Sequence, residues 1–193
     1  MDHSKISWKT IDTFFKDNEH ILVKHHIDSY NNFFSSGIQE IFKDKNPIRF
    51  FKEIDQETQE YKYECELYLG GINCDKIYYG KPIIYDETDD DISRAHYMYP
   101  NEARLRNMTY GFTIHYDVDV KFKILVEKND GSTGMEKFHV HEETIELEKI
   151  YLGRFPIMLQ SNMCILKGLV PNSRFYMGEC KNDPGGYFII DGK

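Results

Sequence analysis

The 193-residue chain is 40% hydrophobic and 15% aromatic, enough for one domain with a real core and too much for general disorder. Its formal net charge of −8 excludes a free-standing nucleic-acid binder, because phosphate neutralisation needs clustered Lys and Arg; any nucleic-acid contact has to be local. No apolar run is long enough to cross a bilayer, and the N-terminal stretch MDHSKISWKTIDTFF lacks the basic, apolar and small-residue parts of an export signal, so an intracellular protein is expected.

In chain order, Asp17 or Asn18 is the expected N-cap of a helix running toward Phe34, with Ile27, Tyr30 and Phe34 on one face. Ser35-Ser36-Gly37 interrupts it, and Ile38, Ile41 and Phe42 resume the helical period for about one turn before Pro47. The period then changes to alternation. Tyr61, Tyr63, Cys65, Leu67 and Leu69 predict the apolar face of a strand whose wet face carries Lys62, Glu64, Glu66 and Tyr68. Short strands are expected at 77–79 and 83–85, followed by an exposed acidic cluster at Asp86, Glu87, Asp89, Asp90 and Asp91. The clearest alternation, Phe112 through Val126, reads as one long half-buried strand with Asp117 and Asp119 on its wet side. The segment 129–134 reverses the chain, and 138–151 returns to pair with it. At the end, Asp183-Pro184-Gly185-Gly186 turns, 187–190 forms a buried strand, and Asp191-Gly192 begins a two-residue hairpin turn. The fold class is therefore α+β, with N-terminal helices packed on a large, mainly antiparallel sheet.

Candidate chemistry is sparse. Cys65, Cys74, Cys164 and Cys180 show no C-x-x-C pairing and read as reduced, partly buried thiols. His139 and His141 share one side of a strand beside Glu142 and Glu143, but no third ligand is placed near them, and the adjacent pair His25-His26 belongs to an amphipathic helix. No metal site is expected. Phosphate-loop, dinucleotide and nucleophile-elbow motifs are absent from the sequence. Arg104 and Arg106, beside Pro100 and ahead of the long strand, form a small positive feature; either salt bridges with nearby carboxylates or a functional contact accounts for it.

Four stretches carry a resemblance. They are Leu22 to Phe33 (LVKHHIDSYNNF), Tyr99 to Tyr110 (YPNEARLRNMTY), Leu152 to Ser161 with Cys164 (LGRFPIMLQS…C), and Glu179-Cys180 with Asp183 to Gly192 (DPGGYFIIDG). Together, and in this order, they resemble the second-largest subunit of multisubunit DNA-directed RNA polymerases of the eukaryotic, archaeal and large-DNA-virus type. Departures are Tyr30 for phenylalanine, Gln160 where the family often has arginine, and Asp191 for asparagine.

The resemblance implies that residues 1–193 are the N-terminal segment of the protrusion domain, a wall of the DNA cleft, incomplete at Lys193. It implies a segment inactive alone, with no cofactor of its own, the Mg²⁺ of the assembled enzyme being held by the largest subunit. The implied partners are the largest and other polymerase subunits and the DNA template, without a membrane. Arg104, Arg106, Arg154, Lys167 and Lys193 are the basic candidates for facing nucleic acid or a partner subunit, while Gly153, Pro156, Gly185 and Gly186 are expected to hold backbone geometry. A bias toward Lys, Asn, Ile, Tyr and Phe suits an AT-rich, viral source, in virion or host cytoplasm; a cellular polymerase would be nuclear. The competing expectation is an independent β-rich interaction or virion protein derived from such a subunit.

Overall fold

The computed structural model of the chain describes residues 3–18, 20–56, 58–86, 94–128 and 138–193. It is α+β, with helices and a five-stranded sheet whose mapped pairings are antiparallel. The chain divides into two compact units, each assembled from separated stretches: Met1–Ser35, Lys81–Phe112 and Arg154–Lys193 form the first, Ser36–Gly80 and Thr113–Gly153 the second. Of the acidic cluster, residues 87–91 lie outside the described residues, as does the reversing segment 129–134.

In the first unit, α1 (His3–Asp17) occupies the stretch before the expected first helix. Asp17 and Asn18 end this helix instead of opening the next. Asn18 N and Nδ2 both donate to Phe14 O, at 3.1 and 2.9 Å, so the side chain adds a second donor at the helix end, where carbonyls run out of partners. α2 follows at Lys24–Asn32 with Ile27 buried. Ser35-Ser36-Gly37 does not break the helical path; Phe33–Gly37 widens into a π-helical turn, with Ser35 Oγ donating back to Asn32 O. A hydroxyl bonding to the preceding turn competes with the regular ladder and favours such local widening.

The core of this unit is aromatic. Phe34 lies edge-on to Phe112 and Phe155, with ring centroids 5.3 and 6.0 Å away, and Met98, Tyr110, Ile157, Leu159, Leu166 and Ile189 are fully enclosed. β4 (Ile83–Asp86) and β5 (Arg94–Tyr97) make a small antiparallel pair. α4 (Pro100–Leu105) and α5 (Pro171–Tyr176) each start on proline, which has no N–H to orphan and a φ already set for a helix.

The closing segment departs from a ladder strand. Residue 187 accepts from Leu159 N and residue 189 from Tyr110 N, so its hydrogen bonds are split between two separate segments and it remains extended chain. The turn beyond it forms as expected. Ile190 and Lys193 exchange both backbone hydrogen bonds, at 2.8 and 3.0 Å, around Asp191 (φ 49) and Gly192 (φ 78), the two positive φ values that a type I′ turn requires.

In the second unit, α3 (Ile38–Lys45) buries Ile38 and Phe42 and sets Phe42 5.3 Å from Tyr116. The expected packing of the helical stripe is thus divided: Phe42 meets the sheet, whereas Ile27 and Phe34 serve the first unit's core. Asn46 then binds both backbone groups of Leu69, donating from Nδ2 at 2.8 Å and accepting at Oδ1 at 2.9 Å. β1 (Ile48–Ile54) pairs antiparallel with β2 (Tyr61–Leu69), β2 with β6 (Gly111–Glu127), and β3 (Ile77–Tyr79) also with β6. β7 (Phe138–Pro156) pairs with β6.

Two expected faces are corrected. Tyr61 and Tyr63 are each 42% exposed, while Lys62 and Glu64 across the strand are half-buried; the periodicity is right, but that end of the apolar face stays partly open, with Tyr61 stacked on Phe51. Conversely, Asp117 and Asp119, expected on a wet face, are buried. Tyr78 Oη and Lys149 N donate to Asp117, each at 2.7 Å. Ile72 N donates to Asp119 at 3.1 Å, and Lys76 Nζ joins Asp119 to Glu146. Burial opposes the Asp117 charge, but these donors and the nearby lysines outweigh it and hold the carboxyl below its usual range.

Candidate nucleic-acid interface

The residues expected to face nucleic acid are placed by three segments of the first unit. α4 ends at Leu105, and Asn107 leaves it at φ 53, a left-handed conformation that asparagine tolerates better than most residues. Met108 N returns to Ala103 O at 2.8 Å, so residues 107–110 make a compact turn before β6. The C-terminal hairpin docks on it. Gly192 N donates to Met108 O at 3.1 Å, Thr109 Oγ1 donates to Asp191 Oδ1, and Asp191 N donates to Thr109 Oγ1, both at 3.1 Å. The approach requires glycine: a Cβ on residue 192 would stand 2.8 Å from Asn107 Cα and 2.9 Å from Arg104 O.

Arg154, at the end of β7, reaches the same turn through Nη2, which donates to Thr109 O at 3.0 Å. The turn is thus bound both by Arg154, through Thr109 O, and by the Asp191-Gly192 bend that precedes the exposed Lys193. Arg106 adjoins it, with Nε 3.2 Å from Glu102 Oε1; Glu102 Oε1 also lies 3.0 Å from His96 Nε2. Lys167 stands exposed in a different segment, the loop leading into α5.

Arg104 is engaged internally. Its Nη1 donates to both oxygens of Glu179 at 2.8 Å, and Nη2 donates to Tyr187 Oη at 2.9 Å. Tyr187 Oη donates in turn to Asp183 Oδ2 at 2.5 Å, and Asp183 Oδ1 accepts from Gly185 N at 2.8 Å. Burial works against the Arg104 charge, and the bonds to buried Glu179 more than offset it, raising the guanidinium above its ordinary value. Burial first, and then the bond to Asp183, pushes Tyr187 up to about 12. This relay ties α4 to the stretch from Glu179 to Tyr187 and so orients the segment that carries the hairpin.

Gly185 (φ 72) and Gly186 (φ 79) hold the preceding bend. A Cβ at Gly185 would lie 2.5 Å from Gln160 Cγ and 2.6 Å from Leu159 O, and one at Gly186 would lie 2.7 Å from Val23 Cβ. Pro156 O accepts from Tyr30 Oη at 2.8 Å, and Gly153 sits half-buried within β7. Gln160, where arginine is common in the resembling family, is buried beneath Gly185. Among the described residues no group of three or more His, Cys, Asp or Glu converges as a metal site needs, and His139 and His141 stand exposed on β7.

Glu179, Asp183, Thr109 and Asp191 are the partners of these groups that a search for basic residues passes over. All four lie inside the family-like stretches, so their positions are legible in the sequence; their pairing is not.

An α+β scaffold whose distinctive segments are held by glycine turns and one internal Arg–Glu pair defines the class, and this chain belongs to the RNA polymerase beta subunit family, whose model matches residues 21–193. All four resembling stretches fall within that range. Among its relatives, subunit Rpo2N of the DNA-directed RNA polymerase of Methanothermobacter thermautotrophicus is 36% identical over 97% of this chain and 29% of the relative. RNA polymerase II subunit RPB2 of Meyerozyma guilliermondii is 35% identical over 96% of this chain and 14% of the relative, and Rpo2N of Methanocaldococcus jannaschii is 35% identical over 94% and 30%. The chain thus spans less than a third of the length of these archaeal and eukaryotic relatives. They favour the polymerase reading over an independent β-rich protein.

Proposed function

We propose that the chain is a wall-forming segment of a DNA-directed RNA polymerase, the protrusion, which contributes phosphate contacts and no reacting group. The observation that carries this is the turn at residues 107–110, which Arg154 binds at Thr109 O and on which the bend leading to Lys193 docks through Gly192 N. Exposed cations held by one hydrogen-bonded turn suit backbone contacts, which position a duplex without reading its sequence. They also meet the demand set by the overall charge, that any contact to nucleic acid be local.

In this reading the other polymerase subunits and the DNA template are the partners, the setting is intracellular, and Mg²⁺ enters through the largest subunit. Arg104 acts indirectly, by fixing the segment that presents the hairpin. Among the described residues no helix is long and apolar enough to cross a membrane.

The test is the salt dependence of DNA association by the assembled enzyme carrying Arg154→Gln and Lys193→Gln. Loss of two phosphate contacts lowers the slope of log K against log salt by about 2. An unchanged slope removes the turn from the DNA path.

A further inference from the structure

The edge of the second unit's sheet carries a different feature. Among the described residues β1 pairs with β2 alone, so its outer side presents backbone N–H and C=O groups that the sheet does not use. The register runs unbroken from Ile48↔Leu67 to Lys52↔Tyr63, and Glu53, in the left-handed region at φ 58, ends this regular stretch. β7, which also has one mapped neighbour, is guarded. Glu142, Glu143, Glu146 and Glu148 stand exposed along it and Lys149 bends it at φ 53; charges and bends are devices that keep other strands away. β1 instead exposes Phe50 and Phe51.

The two faces of β1 set different demands. Across the sheet Arg49 stands opposite Glu66 and Glu66 opposite Lys121, while Glu64 stands opposite Lys123. Glu142 and Glu143 of β7 line one groove with Lys121 and Lys123. Charge therefore alternates from strand to strand, negative on β7, positive on β6, negative on β2 and positive at Arg49, the order that favours cross-strand pairs. The ladder ends there with a cation still open. Arg49 Nε donates to Glu66 Oε1 at 2.7 Å; among the described residues this is its only hydrogen bond, and the side chain is 54% exposed. On the other face Phe50 lines an open surface with Tyr63, Cys65, Phe122 and Ile124, where Lys52 and Glu64 at the margin carry opposite signs.

We propose that β1 accepts a further strand from a partner protein of the polymerase, an extended segment that alternates a carboxylate, opposite Arg49, with a large apolar side chain on the face of Phe50. Main-chain hydrogen bonds hold such a strand, and its alternate side chains select it. The carboxylate continues the charge ladder and takes up the open guanidinium nitrogens in a charge-assisted pair. Single-stranded nucleic acid, which also favours cations and rings, fits less well. Phe51 is already stacked on Tyr61, with centroids 4.6 Å apart, and Glu66 and Glu53 lie against the two cations of the strand. The site uses none of the residues of the turn at 107–110 and goes beyond the DNA-facing role.

The test uses the assembled polymerase with two labelled peptides and a competitor: a short peptide alternating glutamate with valine and phenylalanine, the same peptide with lysine for glutamate, and oligodeoxythymidylate. By fluorescence anisotropy at low salt the glutamate peptide is expected to bind about fivefold tighter, the difference between opposite and like charges across a strand pair. Arg49→Gln is expected to bring the two peptides together, and Phe50→Ser to weaken both. Hydrogen exchange at the amides of residues 48–52 is expected to slow when the glutamate peptide binds the unsubstituted enzyme, which requires no variant to assemble. Subunit composition of the purified enzyme checks assembly of the two variants. Absence of binding, equal binding of the peptides, a preference that survives Arg49→Gln, unchanged exchange at 48–52, or displacement by the oligonucleotide overturns the proposal. Arg154→Gln with Lys193→Gln is expected to leave peptide binding as it is, so that this proposal and the DNA-facing role fail separately; a loss there overturns the β1 site.

Discussion

Phe112 and Phe122 lie on the same strand, yet one belongs to a unit that encloses its aromatic side chains and the other to a unit that leaves many of them open. In the first unit Phe34, Phe112 and Tyr110 are buried. In the second, Phe50, Phe51 and Tyr63 line a surface with Phe122 and Ile124, Tyr61 stacks on Phe51, and Phe50 is 56% exposed. The difference extends to how each is specified. Nearly all of the family-like stretches belong to the first unit, where positive-φ turns and a buried ion pair each demand a particular residue. The sheet of the second unit demands mainly an alternation, which many residues satisfy. Recognisable motifs therefore mark the irregular unit, and generic patterning marks the regular one.

Substitution breaks this comparison most directly at the two phenylalanines. Phe112→Ala is expected to destabilise by about 3–5 kcal/mol through a cavity among enclosed rings, against about 1–2 kcal/mol for Phe122→Ala, whose site is half open to water; urea denaturation read by native-state hydrogen exchange separates the units. Comparable losses at both positions would erase the contrast.

Ion pairs sharpen it next. Arg104→Met leaves the Glu179 carboxylate buried without its partner, at a cost of about 3 kcal/mol. Arg49→Met removes a 2.7 Å pair to Glu66 on an exposed strand and is expected to change stability by about 0.5 kcal/mol or less. Denaturation midpoints of the two variants give the ratio.

Gly185→Ala forces a Cβ against backbone oxygen as well as an unfavourable φ, about 2–3 kcal/mol together. Gly168, at a similar φ of 75 with no atom within 4 Å of an added Cβ, isolates the backbone part at roughly 1–2 kcal/mol. Equal costs at the two glycines would show that the packing against Leu159 and Gln160 contributes nothing.

The smallest effect belongs to Asp117. Its folded pKa lies below the unfolded one, so its contribution is present above the ordinary carboxylate value of about 3.9 and is lost as pH falls through the folded value. Asp117→Asn is expected to flatten that acid limb of the stability profile, and Tyr78→Phe, which removes one donor to the carboxylate, to move the limb toward the ordinary carboxylate range. An unaltered acid limb in the asparagine variant would assign the pH dependence to other carboxylates.

Much of the fold could be read without coordinates. The strand from Gly111 to Glu127 and the turn at Asp191-Gly192 were legible because a period-two pattern and a pair of residues tolerant of positive φ are local signals. The sequence reading places no helix before Asp17, although Trp8, Ile11 and Phe15 recur at helical spacing; every described side chain of α1 is exposed, so no core contact reinforces that pattern. Ser35-Ser36-Gly37 reads as a break by propensity, and the helical path continues through it because a π turn keeps the hydrogen bonds.

For the candidate site, the sequence by itself determined which residues are cations and which glycines stand at the bends. Only the tertiary structure decided that Arg104 belongs to Glu179, 75 positions away, that Arg154 and Asp191 share the turn at Thr109, and that Asp117 is buried while Tyr63 is not. Spacing along the chain encodes which side chains share a face, a local property of backbone geometry. Which face is covered, and which charge meets which, depends on segments that approach only when the chain has folded.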